Sequence, residues 1–268
     1  MNALALTVTD SRTMLRRNLR RLVRYPSMTV LLVGMPIVFL LLFVYVFGGQ
    51  LGAGLGSNLA GGHSGRGGYL NYVTPGILLM TVAAAVQGTA IVVAMDMTSG
   101  IIDRFRTMAI ARSAVLTGHV LAALIQTLIS LAMVLGVAVA LGFRPTADPM
   151  RWLAAISLLA AFALALVWLA TALGLAAKSV ETASNTPMFL TLLPFLGSGF
   201  VPSSSMPAGL RQFAQVQPFT PVTETLRGLL TGTHIGLNGV GALAWIVVIG
   251  VLSYLWAMRL YHQRRARD

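Results

Sequence analysis

The chain has 268 residues, of which 56% are hydrophobic and 10% are charged, and its mean hydropathy is +0.80. Because a soluble domain carries roughly a quarter charged residues, this composition excludes a soluble globular protein and indicates a body embedded in lipid. The net charge of +12 lies in short basic clusters beside long uncharged runs. That distribution suits anionic headgroups and excludes nucleic-acid binding, which needs a continuous basic groove.

Residues 10–25 predict an amphipathic helix that lies in the cytoplasmic membrane interface. Leucine and valine side chains fall on one arc of a helical wheel, so the apolar face would lie against the acyl chains. The opposite arc carries Arg16, Arg17, Arg20, Arg21 and Arg24. Pro26 ends this helix before the chain enters the membrane. The alternative is a basic flank whose periodicity is accidental.

Six uncharged stretches are long enough to cross a bilayer, which takes about 20 helical residues. They lie at residues 26–47, 70–95, 115–141, 152–177, 182–201 and 238–258. Pro36 predicts a kink in the first stretch, and Pro187 and Pro194 interrupt the fifth. The sequence thus predicts an all-α integral membrane protein with six transmembrane helices in a single transmembrane domain, residues 1–268.

Two loops between the predicted spans have unusual compositions. Residues 48–68 contain ten glycines among 21 residues, which predicts a flexible connector. Residues 202–237 are partly apolar, which predicts a re-entrant or surface-lying outer segment between the fifth and sixth helices. Within this segment a helix is expected to begin at Thr220-Pro221, with Glu224 paired to Arg227 three residues later.

Basic residues near the ends of the predicted spans indicate the orientation of the chain. The N-terminal segment, the loops after the second and fourth spans and the C-terminal tail hold 14 Arg and Lys residues, against 5 in the alternate set of loops. This distribution places both termini in the cytoplasm. An even number of helices also requires that the two termini share a side.

Charged groups that could drive transport are missing from the predicted spans. All seven acidic residues lie at helix ends or in loops, whereas ion-coupled transport usually needs a carboxylate near the membrane midplane. The single lysine, Lys178, stands in Ala-Ala-Lys-Ser and not in the Gly-Lys-Ser/Thr of a phosphate-binding loop, which excludes ATP hydrolysis by this chain. His119, near the start of the third span, is interpreted as a packed histidine.

Two enzyme classes fit the sequence less well than transport does. Ser198 and His234 could suggest an intramembrane serine protease, but no G-x-S-x-G elbow occurs, and the glycines beside Ser198 also allow close helix packing. No H-E-x-x-H motif occurs, so neither a metalloprotease nor a bound metal is expected. The chain is therefore predicted to be a transport protein and not an enzyme.

The loop after the second predicted span, Asp96 to Met108, is the richest polar segment of the chain. Gly100 can supply a turn, and Asp103, Arg104 and Arg106 surround an aromatic residue. The preceding span has 26 uncharged residues, about 39 Å of helix, which exceeds a ~30 Å hydrocarbon core and predicts a tilt or a projection into the cytoplasm. A charged elbow there suits docking to a soluble partner, and an ordinary solvated loop is the alternative.

Short motifs occur in order along nearly the whole chain. They are Arg24-Tyr-Pro26, Leu42-Phe-Val-Tyr-Val-Phe-Gly-Gly49, Tyr72-Val-Thr-Pro-Gly76, the loop from Asp96 to Arg106, Leu141-Gly-Phe143, Gly199-Phe-Val-Pro202, Met206-Pro207, Gln217-Pro-Phe-Thr220 and Leu226-Arg-Gly-Leu-Leu-Thr-Gly232. On these motifs the chain resembles the type-2 ABC transporter permease family, in particular its daunorubicin-resistance-type (DrrB-like) drug-export permeases.

The resemblance implies a half-transporter that pairs with a second permease, either a copy or a paralogue, and with two ATPase subunits that hold ATP and Mg²⁺. The interfacial helix and the loop after the second helix would contact the ATPase, and a smaller coupling element would follow the fourth helix. The coupling residues implied are Arg16, Arg17, Arg20 and Arg21 in the interfacial helix, Asp96, Gly100, Asp103, Arg104 and Arg106 in the loop, and Glu181 in the smaller element. The first, second and fifth helices would line the transport path, with Phe39, Phe43, Gln87, Phe189 and Phe195 as candidates.

The predicted function is therefore the permease subunit of an ATP-driven exporter in a bacterial plasma membrane. It would move hydrophobic or amphipathic compounds, such as a drug, an antibiotic or a lipid, out of the cell. Membrane lipid and the hydrophobic substrate are its other expected partners, and no cofactor is expected on this chain. An ion-coupled secondary multidrug transporter is the main alternative, and a membrane scaffold that transports nothing is a third.

Overall fold

The computed structural model describes residues 26–54, 65–98 and 112–263, and all regular secondary structure within them is helical. Five helical stretches in these residues are long and apolar enough to cross a membrane. They are Leu32–Gly54, Gly65–Met97, Leu116–Ala140, Pro149–Ala176 and Asn238–Tyr261. The predicted class of an all-α membrane protein is confirmed for the described part of the chain.

The helices of the described residues are numbered in chain order. The first part contains α1 (Pro26–Leu41), a π-helical segment (Leu42–Phe47), α2 (Gly48–Gly54), α3 (Gly65–Thr98), α4 (Arg112–Ala140) and α5 (Pro149–Ala176). The second part contains the short helices α6 (Val180–Asn185), α7 (Met188–Leu192), α8 (Ala208–Val216) and α9 (Phe219–Thr231), and then the long α10 (Asn238–Gln263).

Several sequence predictions lie outside the described residues. They are the interfacial helix at residues 10–25 with Arg16, Arg17, Arg20 and Arg21, and the elbow residues Gly100, Asp103, Arg104 and Arg106. The predicted fifth span, residues 182–201, is described but is not one continuous helix. It consists of α6, α7 and a run of turns at residues 193–200, which we call the 193–200 turn. Pro187 lies between α6 and α7 and Pro194 follows α7, as expected because proline interrupts a helical hydrogen-bond ladder.

The glycine-rich stretch is helical where it is described. Residues 48–54 form α2 and residues 65–68 begin α3, so the predicted flexible connector is wrong for these residues. A Cβ atom on Gly52 would collide with the backbone of Gly65, which itself has a φ of +66°. Glycine therefore permits a close approach between α2 and the start of α3, which composition alone could not distinguish from flexibility.

Helix ends follow from local chemistry. The side chain of Asp148 accepts a hydrogen bond from the Arg151 backbone N–H at 2.7 Å, and Pro149 occupies the first turn. This cap begins α5 three residues before the predicted start at residue 152. α9 ends at Gly232, whose φ is +75° and whose N–H donates to the carbonyl oxygen of Gly228. Glycine commonly adopts this left-handed conformation at the C-terminal end of a helix.

α3 is the most buried of the five long stretches and contacts α1, α2, α4, α5, α6, α7 and α9. Its start lies beside the start of α5, where the Arg144 backbone N–H donates to the side chain of Asn71 at 3.4 Å. Its last turns lie beside the end of α5, where Gly174 packs on Ala90 and Val93. α3 and α5 are therefore parallel, and the molecule has one end near Tyr69 and another near Asp96.

α10 is also parallel to α5. Gly250 packs on Ala165, and one turn further along both helices the rings of Trp168 and Tyr254 meet edge to face at 4.9 Å. α5 and α10 are consecutive long helices of the described chain. Because they run in the same direction, the chain between them must return to the Tyr69 end. Residues 177–201 make that return.

Candidate transport path and coupling site

Phenylalanines from two segments form one aromatic cluster near the Tyr69 end. Phe39 lies in α1, and Phe43 and Phe47 follow at intervals of four residues in the π-helical segment, so the three rings share one face. Phe195 and Phe200 come from the 193–200 turn and stack with 4.6 Å between ring centroids and 6° between ring planes. The cluster therefore joins the first helix to the broken fifth segment.

Ring contacts connect these two groups directly. Phe43 lies 4.7 Å from Phe200 and Phe39 lies 5.5 Å from Phe195, centroid to centroid. Phe43 also contacts Phe39 at 6.3 Å and Phe47 at 5.8 Å. Pairs of this kind contribute about 0.5–1.5 kcal/mol beyond their buried area, and none of these rings needs a polar partner.

Three of the five residues predicted for the transport path, Phe39, Phe43 and Phe195, are brought together in this cluster. Sequence reasoning missed Phe47 and Phe200. The spacing of four residues from Phe43 could have found Phe47, whereas nothing in the sequence places Phe200 against Phe43.

The other two predicted path residues lie apart from the cluster. Gln87, in α3, donates to the Ser184 carbonyl of α6 at 3.1 Å and lies 3.4 Å from the Ser184 hydroxyl. Phe189, in α7, is 76% exposed on the described surface. Gln87 thus ties α3 to the broken segment, and Phe189 presents a free ring to lipid, substrate or another subunit.

Two predicted coupling residues are described, and they have different surroundings. Asp96 is 2% exposed near the end of α3, and its Oδ2 lies 3.3 Å from Nε2 of His119 in α4. His119 is itself buried, as the interpretation of a packed histidine requires. Glu181 is exposed in the first turn of α6, two residues after the cap residue Ser179, whose side chain accepts the Thr182 N–H.

A buried arginine lies at the centre of the polar contacts of the site. The sequence predicted its ion pair but not this central position. Arg227 of α9 is 1% exposed. Its Nη1 donates to Glu224 at 2.6 Å, which confirms the predicted pair. Its Nη2 donates to the carbonyl of Ser198 at 2.8 Å and to that of Tyr72 at 3.2 Å. The guanidinium also lies over the Tyr72 ring, with Cζ 3.8 Å from the centroid.

Further contacts hold the 193–200 turn to α3. The Tyr72 hydroxyl donates to the Ser198 carbonyl at 2.9 Å, and the Tyr69 hydroxyl donates to the Phe200 carbonyl at 3.2 Å. A Cβ atom on Gly76 would collide with the backbone of Gly199, so the two backbones touch. Arg227 and its neighbours therefore fix the turn that carries Phe195 and Phe200.

The start of α9 holds the same turn from the other side. The Ser198 N–H lies 3.4 Å from Oγ1 of Thr220, and Gln217 donates to that oxygen at 2.9 Å. The side-chain oxygen Oε1 of Gln217 in turn accepts the Phe219 N–H at 2.9 Å. The Ser198 hydroxyl itself makes no hydrogen bond within the described residues, so only the main chain of Ser198 takes part.

The family model of the ABC-2 type transporter matches residues 9–231. The chain belongs to the ABC-2 type transporter family. The match covers α1 to α9, and so includes the aromatic cluster and the Arg227 contacts.

Named relatives of this ABC-2 type transporter agree with that assignment. The chain is 28% identical to the daunorubicin resistance ABC transporter permease protein DrrB1 of Streptomyces coeruleorubidus over 267 residues, 98% of this chain and 90% of the relative. It is 27% identical over 178 residues to the probable doxorubicin resistance ABC transporter permease protein DrrC of Mycobacterium tuberculosis, 65% of this chain and 64% of the relative. The predicted resemblance to DrrB-like permeases is confirmed, as is the predicted function class of an ABC transporter permease.

Proposed function

We propose that this chain is the permease subunit of an ATP-driven exporter that moves hydrophobic or amphipathic compounds out of a bacterial cell. The aromatic cluster between α1 and the 193–200 turn carries the proposal, because it offers a continuous apolar surface beside the most buried helix. The names of the relatives suggest daunorubicin and doxorubicin as the first compounds to test. A drug-like aromatic compound fits such a surface better than a hydrophilic one.

Six crossings of the membrane are part of the proposal, with both termini in the cytoplasm and the Tyr69 end outside. The parallel arrangement of α5 and α10 supports a crossing by the broken segment between them. That segment contacts α3 at Gln87 through Ser184 and at Tyr69 through Phe200. Eighteen residues of α3 separate those contacts, about 27 Å at helical rise, which is close to a ~30 Å hydrocarbon core.

The outer segment between the fifth and sixth crossings contains α8 and α9. α9 is largely buried against α3 and α5 at the Tyr69 end, which supports the proposal that it re-enters the membrane. α8 is short, and its Leu210, Phe213 and Val216 are exposed, which suits a helix that lies at the outer surface.

Energy would come from two separate ATPase subunits, which hold ATP and Mg²⁺, while a second permease completes the transporter. Lys178 is the only lysine in the chain, and without a phosphate-binding loop the chain cannot grip the terminal phosphates of ATP. The Asp96 end of α3 would face the ATPase. There, Gly100, Asp103, Arg104 and Arg106 would dock it together with the interfacial arginines, and exposed Glu181 would take part in a second contact.

Reconstitution in liposomes tests the proposed energy source. Vesicles that contain the chain and a partner ABC ATPase should accumulate daunorubicin with Mg-ATP and should not do so with a proton or sodium gradient alone. Vesicles with the chain alone provide the control and should accumulate nothing. Accumulation by the chain alone on an ion gradient would establish the secondary transporter instead.

A charge reversal tests the proposed docking surface. The double variant D103R/R104D should no longer retain the ATPase in a pull-down, because it places like charges opposite each other. R144D is the matched control, since Arg144 is exposed at the opposite end of the molecule and only its backbone N–H binds Asn71. Equal retention of the ATPase by both variants would remove the elbow from the interface.

A further inference from the structure

We propose that Arg227 is a positioning residue for export, a reversible latch that holds the aromatic wall of the path closed at the Tyr69 end. The inference rests on the proposed export function and assigns a role to contacts outside the aromatic cluster itself. Arg227 does not belong to the cluster, but it binds the turn on which Phe195 and Phe200 lie.

The carbonyl oxygen of Ser198 is the point at which the latch closes. It accepts the Tyr72 hydroxyl of α3 at 2.9 Å and Nη2 of Arg227 of α9 at 2.8 Å. Two helices thus hold one peptide group in the middle of the 193–200 turn. Phe195 and Phe200 lie three and two residues away on either side, so a shift of this peptide group must also move their rings.

The environment makes these contacts strong. Arg227 and Tyr72 are both 1% exposed, and hydrogen bonds to a charged donor strengthen where water is excluded. The guanidinium also lies on the Tyr72 ring, and such a cation–π contact gains from desolvation. Only arginine can reach a carboxylate and two carbonyl groups with one planar fork.

The position of the countercharge makes the latch reversible. Glu224 and Arg227 lie on the same helix, three residues apart, and Glu224 is partly exposed. Because the pair is neutral within α9, α9 can leave α3 without carrying an uncompensated charge into an apolar surface.

Opening of the path therefore requires that Arg227 release the Ser198 and Tyr72 carbonyl groups, and that the Tyr72 and Tyr69 hydroxyls release the carbonyl groups of Ser198 and Phe200. α9 then moves together with Glu224, and the 193–200 turn is free to separate Phe195 and Phe200 from Phe43. The start of α9 remains joined to the turn through Thr220 and Gln217. These contacts limit the movement to a swing of the turn away from α3.

Labelling of a single cysteine tests the latch. The chain contains no cysteine, and the Ser198 hydroxyl makes no hydrogen bond within the described residues, so S198C leaves the latch intact. In nanodiscs, without ATPase or substrate, a water-soluble maleimide should label S198C slowly. Adding R227K should raise the labelling rate more than about tenfold, because lysine keeps the charge and loses the planar fork. Adding Y72F should raise it about fivefold, which corresponds to loss of one hydrogen bond.

R211Q in the same S198C background is the matched control. Arg211 also donates to main-chain carbonyl groups, those of Ser204 and Met206, but only within its own outer segment. Its labelling rate should equal that of S198C alone. If R227K and Y72F also label at that rate, while their melting temperatures fall, Arg227 is only a structural residue and the latch is refuted.

Transport then separates the latch from the export function on which it rests. With the ATPase present, R227K should hydrolyse ATP and move less daunorubicin per ATP than the unsubstituted chain, because the path no longer closes between cycles. An unchanged ratio of drug to ATP would overturn the latch. Failure of the unsubstituted chain to transport would instead refute the proposed function, and the labelling rates would still test the latch.

Discussion

At the scale of the residue, close contacts between two backbones depend on single glycines, which have no side chain. Gly76 of α3 touches the backbone of Gly199, whereas Gly88 of the same helix has nothing within 4 Å of the position that a Cβ atom would take. The two glycines look alike in the sequence. Only their neighbours decide that one is required for packing and the other is not.

We expect G76A to lower the melting temperature of the purified protein in detergent. The added methyl group must push the 193–200 turn away from α3, at a cost of about 1–3 kcal/mol. G88A is the control on the same helix, and it should leave the melting temperature unchanged or raise it slightly, since alanine favours helix over glycine. Equal effects of G76A and G88A would contradict the close contact.

The buried pair of Asp96 and His119 gives a second prediction at this scale. D96A and H119A should each lower stability, because each leaves the partner's polar group buried with one interaction fewer. The double variant should be more stable than the sum of the two losses predicts, by about 1 kcal/mol or more. Melting temperatures of the four proteins measure this difference. D96A combined with T171V should show additive losses, since Thr171 bonds within its own helix, to Val167.

At the scale of the element, the broken fifth segment brings together side chains that a continuous α-helix would hold on different faces. Residues 193–200 form turns, and within them Phe195 and Phe200, five residues apart, stack face to face. The π-helical segment Leu42–Phe47 faces them with Phe43. Irregular backbone at membrane depth is tolerated where protein buries it, and such segments often occur at functional sites.

We expect F195A to lower daunorubicin transport in reconstituted vesicles about tenfold, since it removes one ring of a contact surface on which each aromatic pair contributes roughly 1 kcal/mol. F213A is the matched control, because Phe213 is a half-exposed phenylalanine on α8 that makes none of the cluster's ring contacts. Its transport should stay close to that of the unsubstituted protein. A larger loss for F213A than for F195A would contradict a path along the cluster.

At the scale of the whole molecule, the direction of the helices determines how often the chain returns from one end of the molecule to the other. α3, α5 and α10 are parallel, so every connection between them must include a return. α4 provides the first return and the broken segment provides the second. Five helical stretches in the described residues are long and apolar enough to cross a membrane, and the parallel packing of α5 and α10 requires that the chain between them return to the Tyr69 end.

Accessibility of single cysteines tests the six crossings in intact cells. T146C and S204C should react with a membrane-impermeant maleimide from outside, and K178C should react only after the membrane is permeabilised. All three residues have exposed side chains, so failure to react reports the side of the membrane and not burial. Labelling of K178C and S204C from the same side would exclude a crossing by residues 180–201.

The sequence by itself determined the solvent of this protein. Its apolar runs and its few charges require lipid, and its single lysine, Lys178, stands outside any phosphate-binding loop, which is why we propose that ATP is hydrolysed by a partner subunit. Its prolines also predicted the break in the fifth segment. These conclusions follow from local composition and spacing, which the sequence carries in full.

The tertiary structure decided which side chains meet. It placed Phe200 of one segment on Phe43 of another, joined Arg227 to carbonyl groups 155 and 29 residues away, and turned part of a glycine-rich loop into a close helix contact. Lipid-facing, path-facing and buried phenylalanines look the same in an apolar sequence. They differ only in their neighbours, because membrane helices associate by shape and by occasional hydrogen bonds and not by a hydrophobic pattern.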